Sequence, residues 1–147
     1  METTTDPFNL NRFTLAQEGT CDRALSELEN GRKMGHWMWY IFPQLDGLGY
    51  SKTTKYYAIK SREEAIAYLK HPVLGSRIEA CAKAVLRHKG RSISEIFGYP
   101  DDVKLRSSMT LFAAISASDS VFARVLDEFF NGYRDDKTHE LLDQEAK

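Results

Sequence analysis

Three stretches of this chain hold side chains able to do chemistry. The first is His36-Trp37-Met38-Trp39-Tyr40-Ile41-Phe42-Pro43-Gln44, which holds both tryptophans of the protein. His36 follows Gly35 and precedes bulky residues, so partial exposure is expected. An imidazole titrating near about 6.5 can serve as general acid or base, although a lone histidine is more often structural. The second stretch runs from Leu45 to Lys55. Gly47 and Gly49 permit close backbone approach, Ser51 can cap a short helix, and Lys52 and Lys55 add positive charge. Such a composition can hold a phosphate or carboxylate. The P-loop spacing is absent, and a plain glycine turn is the competing reading. The third is Lys104-Leu105-Arg106-Ser107-Ser108, where Lys104 and Ser108 are neighbours on a helix face. A desolvated lysine beside Ser107 or Ser108 would make a nucleophile pair, but the order reverses the SxxK motif. A polar ligand-binding patch and plain helix-to-helix hydrogen bonding are the alternatives.

These candidates need a scaffold, and the composition limits its kind. The chain has 147 residues, of which 42% are hydrophobic and 12% aromatic, with a formal net charge of −1. That is too apolar and too weakly charged for a disordered chain. No run approaches the roughly 20 apolar residues that span a bilayer, and a dedicated nucleic-acid coater would be strongly basic. The length suits one domain over residues 1–147, with 1–5 and 143–147 frayed. Cys21 and Cys81 are the only cysteines. They stand far apart, which suits two small buried side chains in a reducing, cytoplasmic setting. The four histidines, His36, His71, His88 and His139, lack metal-ligand spacing, so no metal and no cofactor are implied.

The periodicity is helical almost throughout. Helices are predicted from Phe8 to Ala16, from Cys21 to Asn30 with Thr20 as cap, and over the aromatic stretch until Pro43. Ser61 and Glu64 form a capping box opening Ala65–Lys70, and Pro72 opens a long amphipathic helix to about His88. Ser92 caps Ile93–Phe97. Pro100-Asp101-Asp102 starts a helix to about Ser116. Asp119 or Ser118 caps Val121–Phe130, and a last helix covers Asp136–Gln144. Lys55–Ile59 is the one strand candidate. The expected fold is all-α: a compact array of about eight or nine short helices around a central aromatic helix. As a helix, Trp37, Trp39, Tyr40 and Phe42 would point in widely separated directions, so that segment is either buried all round or lines a cavity.

Laid end to end, these segments resemble the domain-of-unknown-function 1810 family, from Asp6 to about Leu142. The likeness rests on Asp6-Pro7-Phe8, Arg12-Phe13 and Ala16-Gln17, and on His36-Trp37-Met38-Trp39 through Phe42-Pro43-Gln44. It continues in Leu48-Gly49 with Ser51, Tyr68-Leu69 with His71-Pro72, and Leu74-Gly75 with Arg77. It ends in Ile96-Phe97-Gly98, Asp102 with Lys104, Ser107-Ser108 with Thr110-Leu111-Phe112-Ala113, and Phe129-Phe130 with Gly132. The resemblance implies a small all-α fold without an established activity. Some members carry the label calpastatin, an inhibitor that is disordered and repeat-bearing, unlike this globular, repeat-free sequence. Its pattern favours the polar positions Arg12, Gln17, His36, Gln44, Ser51, Asp102, Lys104, Ser107 and Ser108. Together with the readings above, the ligand-binding candidates are Arg12, Gln17, Trp37, Trp39, Gln44, Gly49, Ser51, Asp102, Lys104 and Ser108, and the catalytic candidates are His36, Lys104, Ser107 and Ser108.

The leading expectation is a pocket for an anionic or nucleotide-like small molecule between the aromatic stretch, the Gly47–Ser51 loop and the Lys104–Ser108 face. The alternative is a protein-interaction module using the aromatic segment. RNA binding comes third and needs a basic face assembled from distant residues, since the local run Arg87-His88-Lys89-Gly90-Arg91 suits a helix C-terminus.

Overall fold

A computed structural model describes residues 6–145. Among them lie ten α-helices and no strand, so the fold is all-α as the periodicity predicts. The fraying expected at 1–5 and 146–147 lies outside the described residues. Residues 143–145 instead continue the last helix, where the Glu145 carboxylate accepts the Arg62 N–H at 2.8 Å.

The first pair is α1 (Asn11–Gln17) and α2 (Cys21–Glu29). Asp6 accepts the N–H groups of Leu10 and Asn11 at 2.8 and 2.9 Å, satisfying the start of α1. Thr20 makes no side-chain cap to α2, contrary to expectation. Then comes α3 (Met38–Ile41), a single turn. The aromatic stretch is therefore not the central helix of the fold. Its flanks are extended, held by tertiary contacts.

Next, α4 (Lys52–Tyr57) occupies most of the strand candidate. Ser51 Oγ accepts the Thr54 N–H, and this local cap prevails because a lone strand has no partner. Only Ile59 pairs in β fashion, in one parallel bridge to Leu45. Ser61 caps α5 (Arg62–Lys70) through the Glu64 N–H. The Glu64 carboxylate reaches the N–H of Lys60 rather than that of Ser61.

The long helix α6 (Leu74–Leu86) is opened by His71, whose Nδ1 accepts the N–H groups of Val73 and Leu74. Gly75 lets α6 cross close to α5, since a Cβ there would overlap the Leu69 carbonyl oxygen. Then follow α7 (Ile93–Phe97), capped by Ser92, and α8 (Asp101–Ala114). Ser120, not Asp119 or Ser118, caps α9 (Val121–Phe130), and α10 (Asp136–Glu145) closes the described chain.

The central helix is α8. Leu105, Ser107, Ser108, Met109, Thr110, Leu111 and Phe112 are all buried, so along those turns only Arg106 reaches toward solvent. It packs on α7, α9 and α10, while α6 packs on α2, α5 and α9. An aromatic chain crosses the core: Phe13 meets Tyr68 edge-on at 5.0 Å, Tyr68 meets Phe112 at 5.4 Å, and Phe112 meets Phe122 at 5.7 Å. Each pair adds about 0.5–1.5 kcal/mol beyond its buried area. This chain ties α1, α5, α8 and α9 together.

Candidate functional site

The loop from α3 to α4 stands opposite the first turns of α8, and a cleft of about 410 Å³ lies between them. One wall is Gln44, the Gly47-Leu48-Gly49-Tyr50 loop and Thr54. Gly49 is needed there, because a Cβ would collide with the Thr54 methyl group. The other wall is Tyr99, Pro100, Val103, Lys104 and Ser107, and Asp135 and Lys137 close one end. Tyr50 is 87% exposed and Tyr99 84% exposed, so two open phenol rings flank the cleft.

Lys104 is positioned by a row of alternating groups. Its Nζ lies 5.7 Å from the Trp39 ring and 3.9 Å from Asp101 Oδ1. The other Asp101 oxygen is 2.8 Å from Lys33, whose side chain is only 6% exposed. Lys33 in turn sits 4.9 Å from the Trp37 ring. The Trp37 indole donates to Glu27 Oε1 at 2.9 Å, and the same oxygen accepts the N–H groups of Met34 and Gly35. Burial pushes the Glu27 carboxyl up, but those three donors and the Lys33 charge together hold it below its ordinary value. Asp101 is thus shared by two lysines. Asp135 accepts the N–H and hydroxyl of Thr138 and lies 4.0 Å from Arg106. In the cleft wall itself Lys104 and Lys137 stand with one carboxylate, Asp135, while Asp101 is divided between Lys104 and Lys33.

The structure brings Gln44, Gly49, Lys104 and Ser107 to one cleft. Trp39 is half-buried in a small recess that shares Gln44 and Thr54 with it. Ser51 is exposed and serves as the α4 cap. The other expected site residues lie elsewhere. Arg12 is buried and donates five hydrogen bonds, to Phe8, Asn9, Tyr56, Ala58 and Glu64. Gln17 is buried between Tyr40, Tyr68 and Arg77. Asp102 accepts the Ser94 hydroxyl and joins α7 to α8. These three are structural, because their polar atoms are committed to protein partners.

The catalytic candidates fare similarly. His36 is exposed and does not line the cleft. Ser108 is fully buried, its hydroxyl without a hydrogen-bond partner. Ser107 donates to its own helix at Val103 O. Lys104 bonds neither serine and is held by Asp101, so no Ser–Lys pair forms. Trp37 is buried and tied to Glu27, so of the two tryptophans only Trp39 is left partly open for a docking surface built on the aromatic segment. Arg87 and Arg91 pair with Glu29 and Glu95, which partly neutralises the local basic run. Tyr50, Tyr99, Val103 and Lys137 are missed by sequence reasoning. They converge from two loops and from α8 and α10, and in the sequence each looks like an ordinary solvated position.

Two other recesses carry less chemistry. One of about 290 Å³ lies by Leu86, Lys89, Arg124, Asp127 and Glu128, where opposite charges face each other. One of about 630 Å³ follows Asp6–Asn11 beside His71, with no lysine or arginine in its wall. Among the described residues no group of three or more His, Cys, Asp or Glu is arranged to hold a metal ion. Nor is any helix there long and apolar enough to cross a membrane.

No curated protein matches the chain. Among solved structures it is similar to the conserved hypothetical protein Rv1873 from Mycobacterium tuberculosis. The two share 49% sequence identity and a TM-score of 0.91, over 94% of this chain and 99% of that one. Residues 7–142 match the family described as "Protein of unknown function (DUF1810)", and with nearly its whole length matched the chain belongs to that family.

Proposed function

We propose that the cleft binds a small planar anion of nucleotide type, with a ring against Tyr50 or Tyr99 and the anionic group at Lys104 and Lys137. The observation that carries this reading is the meeting of two open tyrosines and an excess of lysine at one cleft. An exposed phenol ring offers stacking area at small conformational cost, and the cations fix orientation. The volume, about 410 Å³, lies within the range of small-molecule sites. The two unbridged cysteines fit a reducing, cytoplasmic location for such a protein.

A thermal-shift series with nucleoside monophosphates, the matching nucleosides and inorganic phosphate tests the reading. A monophosphate at about 100 times its Kd stabilises the fold by about 2.7 kcal/mol. Nucleoside and phosphate alone give smaller shifts, and Lys104→Ala and one of Tyr50→Ala and Tyr99→Ala lose most of the response. His36→Ala, away from the cleft, keeps it. A response retained in full by Lys104→Ala, or no response to any monophosphate, refutes the proposal.

A further inference from the structure

The only two cysteines, sixty residues apart in sequence, meet in the fold. Cys21 opens α2, Cys81 lies within α6, and these helices pack against each other. Both thiols are free and buried, and each stands near enough to the other to be the largest influence on its ionisation. Their surroundings differ. Cys21 is 9% exposed at a helix N-terminus, whereas Cys81 is 1% exposed, one turn after Arg77. We propose that Cys21 and Cys81 form a redox pair, in which hydrogen peroxide oxidises Cys21, the less buried of the two, and Cys81 resolves the product into an intramolecular disulfide.

The chemistry balances with the peroxide as the named oxidant. The Cys21 thiolate attacks one peroxide oxygen; the O–O bond breaks, an S–O bond forms, and the leaving oxygen departs with the thiol proton as water. The Cys81 sulfur then attacks the sulfur of the Cys21 sulfenic acid. The S–O bond breaks, the S–S bond forms, and the hydroxyl leaves with the Cys81 proton as a second water. Two thiols lose two electrons and hydrogen peroxide gains them.

The local electrostatics agree with that division of roles. The neighbouring Cys81 thiol lowers the Cys21 thiol to about 7; burial opposes this and the Arg77 charge assists. Cys21 and burial together push Cys81 well above the ordinary thiol range. Cys21, the less buried of the two and at the start of α2, is placed as a peroxide-reactive cysteine requires. Arg77 is itself held by Gln17 Oε1 at 3.2 Å, which fixes the guanidinium between the thiols and α1.

The test uses the full chain, reduced, then exposed to hydrogen peroxide, denatured, alkylated and weighed. Expected is a monomer lighter by two hydrogens, with neither cysteine alkylated, a cross-linked Cys21–Cys81 peptide, and full reversal by dithiothreitol. Cys81→Ser stops at the sulfenic acid, which dimedone traps on Cys21. Cys21→Ser leaves Cys81 open to alkylation after denaturation. Met34, 67% exposed, reports delivery of oxidant within the same sample. If Met34 becomes the sulfoxide while both cysteines still alkylate, or if disulfides form only between chains, the proposal is overturned.

Discussion

Arg12 shows how a single polar residue can serve folding alone. Its guanidinium reaches four backbone carbonyls and the Glu64 carboxylate, at 2.6 Å for the last. Glu64 is almost wholly buried, so removing its partner leaves an unpaired charge in the interior. Arg12→Met should cost about 3–5 kcal/mol, a large part of the roughly 5–15 kcal/mol that holds a domain together. Arg12→Lys should recover only a fraction, because an ammonium cannot reproduce the planar fork. Urea denaturation midpoints check both. Glu27 makes a second test, in acid. Its carboxyl is held below the ordinary value, so its contribution is complete above the unfolded titration, about 4.3. That contribution disappears as the pH falls through the lower folded value. Tryptophan fluorescence followed through an acid titration should show Trp37 released in that window. In Glu27→Gln, Trp37 should be perturbed already at neutral pH, with a weaker acid dependence.

Helices α5 and α6 pack at a distance set by Gly75. Any Cβ there meets the Leu69 carbonyl, which is backbone and cannot swing away. Gly75→Ala should therefore destabilise by about 1–3 kcal/mol, as overpacking does, despite the better helix propensity of alanine. Ser76→Ala, exposed on the same turn, is the control for a guanidinium chloride titration. Elements of this kind are legible in the sequence when their determinants are local. Ser51, Ser61 and Ser92 announce helix starts because a cap reads only the next two or three residues. The aromatic stretch is not legible in that way. It is one turn with extended flanks, since Trp37 is fixed by Glu27 ten residues upstream. Arg12 and Gln17 read as ligand-facing for the same reason. Polarity is visible in a sequence, but the partners of Arg12 near Tyr56, Ala58 and Glu64 lie more than 40 residues away. The Gly49 and Lys104 walls of the cleft are legible from composition, whereas Tyr50, Tyr99 and Lys137 join them only through the tertiary fold.

Across the molecule, one apolar cluster reaches from Leu10 to Leu142, and α8 runs through it. Residues 46–58 are an excursion from that body. They leave it at Leu45 and rejoin at Ile59, where the bonds Asp46 N–H to Ile59 O and Ile59 N–H to Gln44 O, both 2.8 Å, close the base. No side chain of α4 is fully buried, and the excursion is tied down mainly at its C-terminal end, where Tyr57 packs on Phe13 and Tyr40 and Arg12 holds the Tyr56 and Ala58 carbonyls. In native-state hydrogen exchange its amides should open at a free energy well below that of α8. Exchange of the excursion only together with α8 would count against this. The seam then acts as a latch with its own equilibrium. Gly47, Gly49 and Tyr50 stand in the cleft wall only while it is shut, so apparent affinity there is the intrinsic affinity scaled by the shut fraction. Ile59, remote from any ligand, becomes a residue through which occupancy can be tuned without altering a single contact in the cleft.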